Sequence, residues 1–215
     1  AYSLISYDRL ETNVVSVDVL QDNTDKKNLM VGNPVLSNPN DIDNALGSGN
    51  IGSLYPKSGG NRLIWDMRYP GFKSFDGMVL YSSPNVGPKV TPGKYNLKMT
   101  YNNTVLTKEL EIVKDPRVKT SQEDFEKQLE FLIEVRNEVS RANQKIIDIR
   151  KIKSDMSFIK DKTDNNISLK TMIDQYLIEL SIIENNIHMT KNQSRQDPLN
   201  FGIRINNRIA FLLAD

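Results

Sequence analysis

Along the first half of the chain apolar and polar residues alternate, and along the second half the apolar ones recur every three or four positions, with the change near Pro116. Residues 13–20 put Val15, Val17 and Val19 on one side and Ser16 and Asp18 on the other, which predicts a half-buried strand. Residues 21–61 break the pattern with many Asn, Asp, Gly, Ser and Pro. They predict a long irregular loop with room for one short extended piece near Leu29 to Val31. A loop of that length in a compact domain points to a contact-making segment or an insertion. Alternation returns at 62–69, where Leu63, Trp65, Met67 and Tyr69 share a side, and stops at Pro70-Gly71. Gly77 to Tyr81 predicts a short apolar strand. Tyr95, Leu97, Met99 and Tyr101 share a face of the next strand, Asn102-Asn103 suits a tight turn because Asn tolerates positive φ, and 104–113 returns with Leu106, Leu110 and Ile112 on one face. Short alternating strands with Gly and Pro turns point to an antiparallel sandwich.

Beyond Lys114-Asp115-Pro116-Arg117 the period changes. Thr120 and Glu123 stand in capping-box spacing, and Glu123 and Asp124 put negative charge where a helix start favours it. Phe125, Leu129, Leu132, Val135, Val139, Ala142, Ile146 and Ile149 follow at steps of three and four, a helical seam. With Arg150, Lys151 and Lys153 at its carboxyl end, this predicts a rod of about 45 Å. The polar residues 160–166 read as a connection. A second seam runs through Leu169, Ile173, Tyr176, Leu180, Ile183 and Ile187, and Asp197-Pro198 breaks it. Ile205, Ile209 and Leu212 then predict a short third helix. The expected fold is therefore α+β: a β-sandwich module over 1–116 with a long loop at 21–61, then an antiparallel helical hairpin with a short third helix over 117–215.

Composition narrows the chemistry. Of 215 residues, 28 are Lys or Arg and 27 Asp or Glu, so no global basic surplus favours nucleic acid. No apolar run reaches the roughly 18–20 residues that span a bilayer, and the first residues have neither the basic start nor the apolar run of a signal peptide. Cysteine is absent, which removes disulfides, thiolate metal sites and cysteine nucleophiles. One histidine, His188, would have to serve any triad or imidazole-ligated metal.

Each candidate residue has two readings. His188, near the end of the second seam, is a general base or ligand, or else a surface or seam-flanking residue with no second histidine to share a metal. Asp41, Asp43, Asn44 and Asn50 could offer oxygens to calcium, but their spacing is not that of an EF-hand, and Asx turns explain them better. Asp66, Glu109 and Glu111 could be paired glycosidase carboxylates; solvated strand positions, with Arg62, Asp66 and Arg68 making cross-strand ion pairs or hydrogen bonds, is the favoured reading. Arg136, Arg141, Asn143, Gln144 and Arg150 are a solvated helix face with pairs such as Glu138–Arg141, or the rim of an interface. No Gly-x-Ser-x-Gly, phosphate-loop or dinucleotide-binding motif occurs. No residue is assigned as catalytic, cofactor-binding or metal-binding.

Four ordered segments carry a resemblance: residues 61–71 (Asn-Arg-Leu-Ile-Trp-Asp-Met-Arg-Tyr-Pro-Gly), Gly87-Pro88 with 90–95 (Val-Thr-Pro-Gly-Lys-Tyr), Lys114-Asp115-Pro116-Arg117, and 194–201 (Ser-Arg-Gln-Asp-Pro-Leu-Asn-Phe). Together they resemble the carboxyl-terminal region of bacterial exported proteins built on a sortilin-like, BNR-repeat β-propeller, often labelled glycosyl hydrolases. The resemblance covers roughly residues 13 to 213. It implies an immunoglobulin-like or fibronectin-like module followed by a helical hairpin, lying after a propeller that this chain lacks, since no aspartate box occurs in it. It therefore implies a piece of a larger exported polypeptide at the periplasm, cell surface or outside. The expected role is non-catalytic: bracing the upstream β-propeller or docking it to other cell-surface proteins, without nucleic acid, cofactor or transmembrane segment. The alternative is an accessory part of a propeller glycoside hydrolase or peptidase whose catalytic residues lie elsewhere. Carbohydrate binding by the sandwich ranks last, because Trp65 alternates with core-like Leu63 and Met67.

Overall fold

The computed structural model describes residues 4–7, 15–21, 59–62, 65–101, 104–163 and 166–213. It is a mixed α+β chain. β1 (Leu4–Tyr7) pairs antiparallel with β3 (Gly59–Arg62), Leu4 opposite Arg62 and Tyr7 opposite Gly59. β2 (Val15–Gln21), β4 (Gly93–Tyr101) and β5 (Thr104–Ile112) form a second antiparallel sheet in the order β2–β4–β5. Tyr101 stands opposite Thr104, and the tight turn expected at Asn102-Asn103 lies outside the described residues. The helices are α1 (Gln122–Lys162), α2 (Ile167–Ile187), α3 (Pro198–Phe201) and α4 (Ile205–Ala210), with a 3-10 turn at Phe211–Leu213.

The chain divides into two compact units, and the division does not follow the change of period at Pro116. Unit 1 is Ala1–Gly71 with Asn85–Ile133; unit 2 is Phe72–Pro84 with Glu134–Asp215. The chain thus leaves unit 1 after Gly71, contributes a thirteen-residue insert to unit 2, and returns at Asn85.

Unit 1 buries Tyr69, Tyr95 and Met99. The Tyr95 hydroxyl donates to the carbonyl of Thr91 at 2.6 Å, and the Trp65 ring meets Tyr95 edge-on at 6.0 Å. Burial pushes the Tyr95 hydroxyl above its ordinary pKa, only partly offset by its bond to Thr91. The expected strand over 62–69 is not continuous. β3 ends at Arg62, and Met67 takes a left-handed φ of 58°, which turns the chain and leaves the Met67 side chain exposed while Tyr69 is buried. A bridge from Arg68 to Lys89 follows, with Tyr69 N–H donating to Pro88 and Val90 N–H donating to Met67. Gly87 is required there: a Cβ would lie 1.8 Å from the Tyr69 carbonyl oxygen.

The long helix starts one residue later than the Thr120/Glu123 box implies. Ser121 is the capping residue. Its Oγ accepts the Asp124 N–H at 3.1 Å and donates to the Asp124 carboxylate at 2.7 Å, so Ser121 and Asp124 form the reciprocal pair. Thr120 instead lends its carbonyl to Lys114 Nζ. The rod is also longer than expected. α1 runs 41 residues, about 60 Å, past Arg150–Lys153, with Lys160 and Lys162 in its last turn. Asn166 caps α2 by accepting the Leu169 N–H at 2.9 Å. α2 ends at Ile187, well before Asp197-Pro198, with the His188 N–H closing on Glu184. Asp197 instead starts α3 after accepting the N–H groups of Gln193 and Ser194.

Two further expectations fail in unit 2. Gly77–Tyr81 is not a strand: Phe75 and Met78 close a turn in which Gly77 has a φ of 70°, within the insert. The seam expected through Ile205, Ile209 and Leu212 is not the buried side of α4 and the 3-10 turn after it, and Ile209 is only half-buried. Ile205 and Leu212 are exposed, whereas Asn206, Asn207, Ala210 and Leu213 are buried. Among the described helices none is long and apolar enough to cross a membrane.

Candidate functional site

The densest group of buried polar side chains lies in unit 2, and α1 supplies its first member. Val135, Val139, Ile146 and Ile149 form the buried row of that half of the helix, and Asn143 lies in line with them, fully buried. A buried amide in an apolar row needs partners for both its hydrogens and its oxygen. Asn143 Nδ2 donates to the Lys73 carbonyl at 2.6 Å and meets Met78 Sδ at 3.5 Å. Its Oδ1 accepts from Asn206 Nδ2 at 3.1 Å.

Asn206 continues the chain of bonds. Its second amide hydrogen points to His188 Nδ1 at 3.2 Å, and its Oδ1 accepts the Asn207 N–H at 2.8 Å. Asn207 then holds Tyr81 by both backbone groups. Its Oδ1 accepts the Tyr81 N–H at 2.7 Å, and its Nδ2 donates to the Tyr81 carbonyl at 3.0 Å and to Ser83 Oγ at 3.1 Å. That two-bond pairing is what a neighbouring strand would offer. It fixes Tyr81 beside Ser82, whose φ of 47° is left-handed.

The orientation of these amides is set at both ends by backbone groups of fixed sense. The Lys73 carbonyl only accepts, so Asn143 must turn its nitrogen there and its oxygen toward Asn206. The Asn207 N–H only donates, so Asn206 must turn its oxygen there. Asn206 Nδ2 therefore faces His188, and Nδ1 of His188 must be the lone-pair nitrogen, with the ring proton on Nε2.

His188 is only 2% exposed. Burial, and next the positive charge of Arg150, hold its pKa below the ordinary value, which favours the neutral ring at pH 7; the Asn206 bond and Glu184 act in the opposite direction. The Phe75 ring meets the imidazole edge-on at 4.9 Å, and the Arg150 guanidinium lies 4.8 Å from the Phe75 centroid. Arg150 also donates to the Asp76 carbonyl at 2.7 Å and to Glu184 Oε1 at 2.7 Å, while Lys153 reaches Glu184 Oε2 at 3.0 Å. Glu184 is 4% exposed. Burial pushes its pKa up, but hydrogen bonds and charge from Arg150 and Lys153 more than offset this and hold it below the usual carboxylate range. At the amino end of the insert, Lys73 N–H donates to Ser140 Oγ at 3.0 Å, and Lys73 Nζ bonds Gln144 Oε1.

The sequence candidates are thus redistributed. His188 is not a surface residue: it follows Ile187 at the end of the α2 seam, is buried, and faces Asn206 through Nδ1. Asn143, Gln144 and Arg150, read as a solvated face or an interface rim, grip the insert. Arg141 does pair with Glu138, as its spacing predicts, and Arg136 bonds Asn137. On the face expected to make cross-strand ion pairs or hydrogen bonds, the Asp66 carboxylate accepts the Arg68 N–H, and Arg68 donates to the Gly87 carbonyl at 2.8 Å; the Arg62 side chain lies outside the described residues. Glu109 pairs across the sheet with Lys94 at 3.3 Å, and Glu111 is exposed. Asp66 and the two glutamates are not brought together. Asp41, Asp43, Asn44 and Asn50, with most of the 21–61 loop, lie outside the described residues. Among the described residues no three His, Asp or Glu side chains converge as metal ligands.

Sequence reasoning missed Asn206 and Asn207 altogether. One signal was available for Asn143, its spacing of four after Val139 and three before Ile146, in register with the seam. For the pair on α4 the apolar pattern pointed the other way. A second feature is exposed. On α2, Met172, Tyr176, Ile178, Ile182 and Ile183 stand largely in solvent beside an open groove through Leu177, Ser181 and Asn185. No family model, no curated protein and no solved structure matches this chain.

Proposed function

We propose that this chain is a non-catalytic structural and protein-interaction module of a larger exported protein, bracing an upstream β-propeller or docking it to a partner. The reading includes a finer fold: an immunoglobulin-like or fibronectin-like sandwich, then an antiparallel helical hairpin. Its supports are physical as well as the four-segment resemblance. The strand order β2–β4–β5, with β4 central and hairpin-linked to β5, fits the C–F–G sheet of such sandwiches. A tyrosine near the start of the central strand, bonding back four residues to Thr91, fits the corner found at strand F. Ion pairs Arg150–Glu184, Lys153–Glu184 and Lys160–Asp174 link α1 to α2 with rising numbers on one helix and falling numbers on the other, as an antiparallel pair requires.

The observation that carries the docking role is the apolar row left in solvent on α2, where Ile178 is 62% exposed. Ile178 and Ile182 line the open groove, and exposed apolar surface in a groove marks interaction sites. The buried titratable pair, His188 and Glu184, is engaged in holding the chain to itself, which favours a structural over a catalytic use. The test is association of this chain with the polypeptide that precedes it in the full-length protein, measured by calorimetry. The reading expects binding that Ile178→Asp with Ile182→Asp weakens at least tenfold without loss of helicity. Absence of binding, binding indifferent to both substitutions, or hydrolysis of a glycan or peptide by the isolated chain would defeat it.

A further inference from the structure

The insert Phe72–Pro84 is fastened near both ends through one chain of amides, and the only titratable group within that chain is His188. Toward the amino end the bonds run from His188 to Asn206, Asn143 and the Lys73 carbonyl. Toward the carboxyl end they run through Asn206 to Asn207 and both backbone groups of Tyr81. Asn206 is the branch point.

We propose that His188 is a pH-sensitive fastener whose protonation at Nδ1 releases the insert Phe72–Pro84 from the helical unit. A proton taken from solvent onto Nδ1 would set N–H against N–H at the Asn206 contact. Asn206 has no alternative orientation. Turning its amide over would press Oδ1 against Asn143 Oδ1 and Nδ2 against the Asn207 N–H, both like-to-like contacts. The protonated ring is therefore accommodated only by parting from Asn206, and the bonds to Lys73 and Tyr81 depend on that residue's position.

The charges around the ring do not rescue the protonated form. α1 contributes Arg150 and Lys153. α2 contributes Glu184, whose two oxygens are already held by those two cations. The insert contributes Lys73 and Asp76, both exposed, and on α4 and its cap the charged residues are Arg204 and exposed Arg208. The lowered pKa of the buried ring agrees with this placement.

His188 is the sole histidine, so its imidazole signals are unambiguous in the unmodified chain. The experiment follows amide hydrogen exchange at Lys73 and Tyr81 by NMR from pH 8 to pH 5, corrected for intrinsic exchange, alongside the imidazole nitrogen shifts. The proposal expects the Nε2–H tautomer at pH 8. It expects protection at both amides to fall about tenfold per pH unit below about 6.5, as one-proton linkage requires. In His188→Gln, whose amide oxygen can still accept from Asn206, that slope should vanish. If this variant fails to fold, the wild-type tautomer and titration decide alone. An Nδ1–H tautomer, protection unchanged while the ring titrates, or an undiminished slope in a folded His188→Gln would each overturn the proposal.

Discussion

α1 and α4 obey opposite rules. Between Val135 and Ile149 of α1, burial follows the row Val135, Val139, Ile146 and Ile149, and Asn143 is the one polar side chain admitted; farther on, Ile152, Phe158 and Ile159 are exposed. On α4 the isoleucine at the start is 51% exposed while two asparagines are buried. The difference is one of length and attachment. A helix of 41 residues carries enough apolar side chains, each contributing about 1.5–3 kcal/mol when buried, for the stripe to dictate its facing. A helix of six residues carries too few. Its orientation is set by which of its groups find partners, and Asn206 and Asn207 find six between them. A short helix is therefore placed by its polar bonds, and a long one by its oil.

The sharpest way to break that contrast is to make α4 conform to the apolar rule. Asn206→Leu should unfold or severely destabilise unit 2, by about 3 kcal/mol or more, because it strands Asn143 Oδ1, His188 Nδ1 and the Asn207 N–H at about 1–3 kcal/mol each. Urea denaturation followed by circular dichroism would measure it. If the leucine variant were as stable as the parent, the polar rule for α4 would be wrong. On α1 the matching change is Ile146→Val, expected to cost about 0.5–1.5 kcal/mol as an ordinary loss of one buried methylene, read from the same denaturation curves.

The β half shows how much of this was legible beforehand. β2, the β4–β5 hairpin and the two long helices form where the period places them, with Tyr95 and Met99 buried on β4 and Val135, Val139, Ile146 and Ile149 on α1; of the seam expected on α2 only Ile173 is buried, and Tyr176 and Ile183 stand in solvent. The strand expected at 77–81 does not form because its apolar residues serve unit 2 as an irregular insert, a use that no local pattern announces. The Met67 turn hides in an alternating stretch for the same reason: φ is set by the bridge between Arg68 and Lys89, not by its neighbours in sequence. The candidate site was almost illegible. Three of its members are asparagines, whose common reading is turn or surface, and His188 took its meaning only from Asn206.

The cap offers a finer comparison. Ser121→Ala should cost about 1 kcal/mol in thermal or urea unfolding, whereas Thr120→Ala should cost less than about 0.5 kcal/mol, since only the Thr120 backbone carbonyl takes part. Equal losses would restore the Thr120/Glu123 box. Acid provides another. Glu184 has a folded-state pKa below its unfolded value, so the stability it contributes is complete above the ordinary carboxylate pKa and fades as pH falls through the folded one. Glu184→Gln should flatten the acid limb of the stability profile between the two values; an unchanged limb would show that the carboxylate is not held by Arg150 and Lys153. The smallest expected effect is Ile205→Asn, within about 0.5 kcal/mol of neutral, since that isoleucine faces solvent.

The claim on which the account of unit 2 depends is that its asparagines act as one network. A double-mutant cycle on Asn143→Ala and Asn206→Ala, read by urea unfolding, measures this directly. The account predicts a coupling of about 0.5–3 kcal/mol between the two positions. Losses that simply add would contradict it, leaving two separate polar residues where a single fastening is described.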